Sequence, residues 1–529
     1  MTKTPSALFQ VSILICCCIA GLSLALQSTI NLGVDIGVDI NLARRIYGGE
    51  HLYRDLYEVN LPLVFYLELP IVWLTHYFHY SEMTAAMLYH SSLAGISLAL
   101  SAGLLWKSRS MRTPLWDSMF IIALFFSALL LPFCLNDNQF GQKEHLFILL
   151  TLPYFISLFC WSAHEKPYPF SMRLLIGLLA GVGFCIKPFF VVAFIVSELA
   201  HLIWSRRLRD SFRIETLAIG MLLLLYPVTV FLLLPEYFFK TLPLISHSYL
   251  FFNESHSNVT RSLLIGLLFL SGGGIILMPV LALCIKSAPQ RYLMALTLSM
   301  FAIAALQMKG WSYHLYPYAA IYCLTIPAIL SDIIINRHKL KEKDPLVSLE
   351  YGAKLLTVFC FILVLCAYYP SQAGSNITRS NELTQATAQI DTLLDHRKPA
   401  HTIYCFCTAA QSVHPLVNRY DYQNVTFFDA LWMVSAIENA LDYYAGNSEK
   451  EPYYHDLKQQ FISDVVSNFI ARQPDILIKE KVQIMRWGKQ SDIFDYFAAD
   501  PRFNKELSNY SIKGQVHMAH NTLAIYQRD

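Results

Sequence analysis

A long apolar run near the start of the chain is followed by an unusually polar stretch. Residues 31–62 read NLGVDIGVDINLARRIYGGEHLYRDLYEVNLP, whereas residues 8–30 contain no charged side chain. About 20 mostly apolar residues suffice to cross the hydrocarbon core of a membrane. The apolar run is long and lacks a small-residue cleavage site, so it indicates a retained membrane helix rather than a signal peptide. The polar stretch then opens the loop that follows the first span.

The composition of the whole chain supports a membrane protein. Its 529 residues carry 40 Lys+Arg and 38 Asp+Glu, and only 15% of them are charged, against about 25% in soluble globular proteins. Hydrophobic residues make up 55% of the chain, and the mean hydropathy is +0.41. These values exclude an ordinary soluble enzyme, a disordered chain and a nucleic-acid-binding protein, which would need a basic stripe.

Further apolar segments predict a polytopic α-helical membrane protein. The apolar segment 61–80 contains Glu68 and two prolines. If this segment crossed the membrane, every later loop would lie on the opposite side. We predict an interfacial or re-entrant position for it. About eleven transmembrane helices remain, at 8–30, 83–106, 118–135, 146–163, 174–186, 188–204, 216–234, 263–285, 292–308, 316–330 and 355–369.

The basic loops predict the orientation of these helices. Lys and Arg concentrate on the cytoplasmic side of membranes. With eleven spans and a cytoplasmic N-terminus, the four basic connections, 107–112, 206–213, 286–291 and 337–343, all lie on the cytoplasmic side. The first loop and the C-terminus then lie outside.

The composition changes near residue 371, where mixed charge and short apolar runs replace the spans. We predict a transmembrane domain at 1–370, with a large first outer loop at 31–82, and a small α/β domain at 371–529 on the outer face. The elements that the pattern predicts in this domain are strands at 401–407 and 476–479 and a helix at 492–499.

Two acidic residues of the first loop suit acid–base chemistry. Asp35 and Asp39 are four positions apart, so they share one face if this stretch is helical. Asp35 follows the first span directly, near the hydrocarbon boundary, where a partly desolvated carboxylate is suited to act as a general base. The alternative is that both acids are ordinary solvated loop residues.

Ionisable residues also occur at the predicted outer ends of later spans. Residues 136–145 crowd polar side chains into a short turn that includes Lys143, Glu144 and His145. Ionisable residues at a membrane boundary are costly and usually functional, although a charged anchor at a helix end is the alternative. Lys187 lies between two short apolar halves, where it either snorkels to the surface or binds an anion.

A third polar segment precedes the predicted span at 316–330. Lys309, Trp311, Tyr313 and His314 lie close together in the sequence there. An aromatic belt accounts for the aromatic rings, but it does not account for Lys309, because the positive-inside rule disfavours lysine on the outer side. Acids and cations on one face fit a lipid-linked phosphate substrate, since cations hold the phosphate and an acid deprotonates an incoming hydroxyl.

Four segments, in the same order, resemble those of GT-C glycosyltransferases. The similarity is greatest to bacterial members of the group that contains the protein mannosyltransferases and the lipid A aminoarabinose transferases, and it covers roughly residues 10–370. In one place, Asn60-Leu61-Pro62, the chain departs from the family's double proline. The four segments are 35–62, the Gly-Gln-Lys-Glu-His-Leu run at 141–146, 177–188, and 309–317.

The resemblance implies an enzyme that moves a sugar from a polyprenyl-phosphate donor to an acceptor hydroxyl on a lipid, glycan or protein. The transfer would be an inverting displacement on the periplasmic face of a bacterial inner membrane, with no metal or other cofactor required and no nucleic-acid partner. Asp35 would be the catalytic base, and Lys187, Lys309, Tyr313 and His314 would bind the lipid phosphate. Acceptor or donor binding would involve Asp39, Arg54, Asp55, Glu58, Asn60, Gln142, Lys143, Glu144 and His145.

The sequence leaves three other functions open. A polysaccharide polymerase or ligase would use the same cations with a preassembled lipid-linked oligosaccharide. A transporter would place polar groups near the midplane on matched broken helices, and the only candidate break is at Lys187-Pro188. A non-enzymatic sensor would leave Asp35, Glu144 and Lys309 unexplained.

Overall fold

The computed structural model describes most of the chain. The described residues are 7–108, 114–161, 168–252, 260, 263–264, 266, 270–272, 274–277, 281, 287–307, 309, 311–335, 345–394, 402–408, 410, 413–420, 422–480, 484–486, 489–490, 492–518 and 521–529.

Helices dominate the described chain. The α-helices are α1 (Ala7–Thr29), α2 (Val34–Tyr47), α3 (Leu63–Phe78), α4 (Glu82–Lys107), α5 (Pro114–Phe125), α6 (Lys143–Trp161), α7 (Phe170–Cys185), α8 (Val191–Ser205), α9 (Ile214–Leu233), α10 (Leu242–Ser248), α11 (Ala288–Leu306), α12 (Tyr316–Ile335), α13 (Pro345–Leu363), α14 (Tyr369–Leu393), α15 (His414–Tyr420), α16 (Trp432–Tyr443), α17 (Lys450–Arg472), α18 (Ile493–Phe497) and α19 (Pro501–Leu507). Shorter π-helical segments are Phe126–Leu130, Tyr237–Thr241 and Val364–Tyr368, and 3₁₀ segments are Leu131–Phe133, Pro188–Phe190, Leu208–Ser211, Tyr249–Phe252, Gly274–Leu277 and Ser312–Leu315.

The predicted polytopic α-helical membrane fold is confirmed. Within the described residues, eight helices are long and apolar enough to cross a membrane: Leu8–Thr29, Glu82–Lys107, Leu115–Phe133, Lys143–Cys160, Pro188–Ser205, Ile214–Leu233, Ser312–Ile335 and Val347–Leu393. Of the other predicted spans, 174–186 forms the shorter helix α7, 292–308 forms α11, and 263–285 lies mostly outside the described residues. The count of eleven therefore stays a prediction.

The described chain divides into two compact units. The first comprises Met1–Ile30, Met87–Pro227 and Ser257–Ile377, and the second comprises Asn31–Ala86, Val228–His256 and Thr378–Asp529. Helix α14 runs through the predicted domain boundary at residue 370.

Small residues bring two helices of the first unit into close contact. A Cβ atom on Gly177 would lie 2.8 Å from the backbone of Glu215, and one on Gly181 would lie 2.6 Å from Leu222. Glycines four positions apart lie on one face of α7, and such spacing lets helix backbones approach closely inside membranes. Arg173 reinforces the same contact through two bonds to Glu215 of 2.7 and 2.8 Å.

The second unit is built around a five-stranded sheet, as the predicted α/β domain requires. The sheet order is β2-β1-β3-β7-β6, with β1 parallel to β2 and β3, and with β7 antiparallel to both of its neighbours. The strands are β1 (Thr402–Phe406), β2 (Gln423–Asn424), β3 (Ile476–Glu480), β6 (Tyr510–Met518) and β7 (Asn521–Arg528), and β4 (Ile484–Arg486) and β5 (Lys489–Gln490) form a separate pair.

The two faces of this sheet are covered by different helices. Tyr404 and Phe406 of β1 belong to a buried cluster with residues of α16, α17 and α19. Ile403 and Cys405 belong to a second cluster with residues of α14 and α15. Because successive side chains of a strand point to opposite faces, the alternation along β1 produces a helix–sheet–helix sandwich.

The first loop is an integral part of the second unit. The backbone N–H of Tyr57 donates to the carbonyl of Phe427 at 2.8 Å. Arg45 is buried and donates to the carbonyl of Thr426 at 2.8 Å. The loop is therefore held to the sheet domain by buried hydrogen bonds, although the two segments are far apart in the sequence.

The segment at 61–80 forms helix α3 with two different faces. Glu68 is buried, whereas the exposed side chains on the other face are mostly aromatic: Tyr66, Trp73, Tyr77 and Phe78. Amphipathic helices with exposed aromatic rings suit the interface between lipid and water. The helix is present, and its interfacial position stays a prediction.

Candidate active site

A turn at a glycine with positive φ begins the polar site of the first unit. Gly141 has φ +92°, and a Cβ atom there would lie 2.5 Å from the ring of His90. The Gly141 N–H donates to Nδ1 of His145 at 2.9 Å. Because Nδ1 accepts, Nε2 carries the proton and donates to the carbonyl of Ala128, also at 2.9 Å. Both ring nitrogens of His145 thus hold the turn that presents Gln142, Lys143 and Glu144.

We expect Gly141→Ala to disrupt this turn. The positive φ disfavours any residue with a Cβ, and the methyl group would collide with His90. Purified variant protein should melt several degrees below wild type, since a strained residue costs about 1–3 kcal/mol. Gly103, where an added Cβ meets nothing within 4 Å, provides the matched control as Gly103→Ala. Equal melting temperatures for the two variants would contradict the assignment.

Lys187 lies at a break between two helices and contacts Glu144. The backbone of Lys187 is extended, with φ −138° and ψ 139°, and Pro188 starts the next helical segment because its ring fixes φ and removes an N–H donor. Nζ of Lys187 lies 2.5 Å from Oε1 of Glu144 and 3.4 Å from Oε1 of Gln307. The break therefore places one cation against two oxygen atoms from other helices.

The segment 309–315 contributes further side chains to the same place. Nε2 of His314 lies 3.9 Å from Oε1 of Glu144. Nζ of Lys187 lies 5.3 Å from the ring centre of Tyr313, and Nζ of Lys309 lies 5.8 Å from the ring centre of Trp311. These distances are within the range of a cation–π interaction, so the aromatic residues help to hold the two lysines.

This site, which we call the lysine site, has unused hydrogen-bonding capacity. Glu144 is fully buried, and His314 is 3% exposed. Among the described residues, neither Oε2 of Glu144 nor Nδ1 of His314 has a hydrogen-bond partner. A buried polar atom without a partner costs about 1–3 kcal/mol. Such atoms near Lys187 and Lys309 are consistent with a site for an anionic, hydroxyl-bearing ligand.

The acidic residues of the first loop lie in the second unit. Helix α2 contains both Asp35 and Asp39, so the two residues share a face of the helix. Asp35 stands in the first turn and is half-buried, whereas Asp39 is 3% exposed one turn later. Of the two carboxylates, Asp35 is the more accessible to a substrate.

The other predicted residues of the first loop form a compact turn. Oε1 of Glu58 accepts hydrogen bonds from the backbone N–H groups of Val59 and Asn60 and from Nδ2 of Asn60. Arg54 and Asp55 form an ion pair at 3.1 Å, and the hydrogen bond from Arg54 lowers the pKa of the Asp55 carboxyl. Glu58 and Asp55 thus stabilise the conformation of this turn.

The structure distributes the predicted residues over both units. Six of them belong to the second unit: Asp35, Asp39, Arg54, Asp55, Glu58 and Asn60. The other eight belong to the first unit: Gln142, Lys143, Glu144, His145, Lys187, Lys309, Tyr313 and His314. Of these eight, Glu144, Lys187, Tyr313 and His314 are in mutual contact at the lysine site. Sequence reasoning did not select Gln307, although it stands two positions before Lys309. Among the described residues, no group of three or more His, Cys, Asp or Glu side chains could hold a metal ion.

Comparison with known proteins identifies the fold. No family model matches the chain, and no curated protein sequence matches it. The fold is similar to that of ArnT from Cupriavidus metallidurans in the apo state, with a TM-score of 0.50, 10% sequence identity, and coverage of 98% of this chain and 97% of that chain. It is also similar to ArnT from the same organism bound to undecaprenyl phosphate, with a TM-score of 0.54, 10% identity, and coverage of 99% and 98%. The chain is therefore a polytopic membrane protein with the GT-C fold of ArnT, as the sequence motifs predict.

Proposed function

We propose that this protein is a membrane glycosyltransferase that takes its sugar from a polyprenyl-phosphate donor. The observation that carries this proposal is the lysine site, in which Lys187 and Lys309 lie near Glu144 and His314. Within the part of the chain that the structure describes, Oε2 of Glu144 and Nδ1 of His314 are buried and have no hydrogen-bond partner. A phosphate group suits such a site, because cations form charge-assisted hydrogen bonds with its oxygens. The fold adds support, since ArnT with the same fold binds undecaprenyl phosphate.

The proposed reaction is a single inverting displacement. Asp35 removes the proton of an acceptor hydroxyl, and the acceptor oxygen forms a bond to the anomeric carbon of the sugar. The bond between that carbon and the phosphate oxygen breaks, and polyprenyl phosphate leaves with the electron pair. Lys187 and Lys309 stabilise the charge that develops on the leaving phosphate, so no second carboxylate is needed to protonate it.

The location of the reaction is part of the proposal. We place the lysine site and Asp35 on the periplasmic face of a bacterial inner membrane, with the N-terminus in the cytoplasm. The distribution of basic loops supports this orientation. The acceptor is a hydroxyl group of a lipid, a glycan or a protein, and the proposed reaction does not require a metal.

Native mass spectrometry of the protein in mild detergent tests the donor class. We expect a co-purified polyprenyl-phosphate monosaccharide, and its mass would give the sugar. A variant with Lys187→Met, purified in parallel, should lose this lipid. A long lipid-linked oligosaccharide would instead support a polymerase or ligase. Bulk phospholipid alone, equal in both proteins, would contradict the proposed donor and favour a transporter.

The charge state of Lys309 predicts how donor binding depends on pH. Burial lowers the pKa of Lys309 to about 8, so the side chain is charged below pH 8 and neutral above it. If Lys309 holds the donor phosphate, affinity for undecaprenyl phosphate should be highest below pH 8 and roughly tenfold weaker at pH 9. Lys309→Arg should remove this pH dependence, because arginine stays charged. Identical pH profiles for both proteins would exclude Lys309 from phosphate binding.

A further inference from the structure

A short helix of the sheet domain packs directly on the helix that contains Asp35. Helix α15 contacts α2 around Gly37, which lies midway between the two aspartates. We propose that α15 positions α2, and with it the Asp35 carboxylate, and that Asn418 is the positioning residue. The catalytic part of this inference rests on the proposed function, whereas the packing part does not.

Gly37 is the point at which the two helices approach. A Cβ atom on Gly37 would lie 2.4 Å from Oδ1 of Asn418 and 3.2 Å from Cβ of His414. A side chain at position 37 would therefore have to displace the Asn418 amide and would press on His414. Glycine in the middle of a helix is destabilising relative to alanine, and here it allows the close packing of Asn418.

Asn418 also connects α2 to the start of helix α4. Its Nδ2 donates to the carbonyl of Gly37 at 3.4 Å and to Oε2 of Glu82 at 2.7 Å. Oε1 of the same Glu82 forms an ion pair with Arg44 of α2 at 3.1 Å. Asn418 and Glu82 are each 7% exposed, so water competes little for these bonds. The Asn418 amide thus holds α2 at two points. It bonds directly to Gly37, and it reaches Arg44 through Glu82.

A second set of buried contacts fixes the rotation of α2. Nδ2 of Asn41 lies 3.4 Å from Oδ1 of Asp429 and 3.3 Å from the carbonyl of Asn424. Asn41 is fully buried. Contacts at Gly37, Asn41 and Arg44 lie on one side of the helix, because these positions are spaced by three and four residues. The sheet domain therefore fixes the position and orientation of the first turn of α2. This turn contains Asp35.

Positioning of a general base affects turnover more than binding. Proton abstraction needs a heavy-atom distance of about 2.6–3.2 Å, and a displacement of about 1 Å can cost a hundredfold in rate. Donor binding at the lysine site uses other residues. Loss of the Asn418 contacts should therefore reduce kcat and leave donor affinity intact.

The test uses the full-length protein with Asn418→Ala and a matched control. Asn439→Ala removes a comparable buried amide of α16, whose Nδ2 donates to the carbonyl of Phe251 at 2.9 Å. We expect Asn418→Ala to increase amide hydrogen exchange in residues 34–47 by roughly tenfold or more and to lower kcat by roughly 10- to 100-fold. The affinity for undecaprenyl phosphate should match wild type, and the control should change neither exchange in α2 nor kcat.

Gly37→Ala adds a second, independent variant. Alone, it should reproduce the defect of Asn418→Ala, because the new methyl group collides with the Asn418 amide. In the double variant that collision is gone, so Gly37→Ala should add little to Asn418→Ala, as expected for residues in direct contact. Additive defects would show that the two residues act separately and would overturn the proposed packing.

The outcomes separate this inference from the proposed function. Unchanged exchange in residues 34–47 of Asn418→Ala would overturn the inference whether or not sugar transfer is measured. Faster exchange with an unchanged kcat would overturn the positioning role of Asn418. A wild-type protein that transfers no sugar from any polyprenyl-phosphate donor would overturn the proposed function and the catalytic role, and exchange would still decide whether α15 holds α2.

Discussion

Sugar transfer should fall by at least about a hundredfold when Asp35 is replaced by Asn, while donor binding stays unchanged. The amide has almost the same shape as the carboxylate but cannot accept a proton. Asp35 stands in the first turn of α2 and is only half-buried, so loss of its charge should disturb the fold little. Initial rates of transfer, measured with a polyprenyl-phosphate sugar and compared with lipid affinity, report the two effects separately.

The second aspartate of α2, Asp39, provides a comparison for Asp35→Asn. Asp39 lies one turn beyond Asp35 and is 3% exposed, so Asp39→Asn should act mainly on stability. A larger loss of kcat in Asp39→Asn than in Asp35→Asn would transfer the role of base to Asp39. Asp456→Asn, at an exposed position of α17, controls for the loss of one negative charge. Full activity of Asp35→Asn would remove this residue from the mechanism.

Helix α2 shows how far the sequence alone predicts this structure. The spacing of Asp35 and Asp39 predicts that they share a face if the stretch is helical, and the helix is present. The sequence could not show what covers the helix, because Asn418 and Gly37 are 381 positions apart. Such a contact follows from the fold of the whole unit and has no local pattern. The sequence therefore did not predict the contact between helix α15 and the first loop, nor the bond that joins Asn418 to Glu82 at the end of that loop.

The sheet domain was predictable only in part, for a related reason. Strands β1 and β3 are short and nearly fully buried, so each appears in the sequence as a compact apolar run. Strand β6 contains Lys513, Gln515 and His517 among its apolar residues and is largely open on one side. Strands of this kind depend on pairing with a neighbour rather than on composition, and neither β6 nor β7 was predicted.

The sequence grouped Lys187, Lys309, Tyr313 and His314 as phosphate-binding residues only through the family resemblance, and it assigned Glu144 to acceptor or donor binding. Charged residues at the ends of apolar runs are visible in any sequence, and Glu144, Lys187 and Lys309 were selected on that basis. Their convergence depends on the packing of α6, α7 and α11, which brings together residues 43 and 120 positions apart. Gln307 was not predicted, because a neutral amide at a helix end is common. Its contact with Lys187 is visible only in the structure.

Lys187→Met should weaken the affinity for undecaprenyl phosphate by at least roughly tenfold and should also destabilise the protein. The stability effect arises because Glu144 is fully buried and Lys187 is its ion-pair partner at 2.5 Å. Removal of one partner of a buried pair costs about 3–5 kcal/mol, since the other charge is left uncompensated. A single variant therefore cannot separate phosphate binding from folding.

A double variant separates the two effects. Glu144→Gln combined with Lys187→Met removes both charges, and replacement of a whole buried pair is often nearly neutral for stability. We expect the melting temperature of the double variant to recover towards wild type while its affinity for undecaprenyl phosphate stays low. This result would mean that Lys187 binds the phosphate in addition to neutralising Glu144. Recovery of both stability and affinity would mean that Lys187 serves only the buried carboxylate, and the phosphate would then have to be held by Lys143 and Lys309.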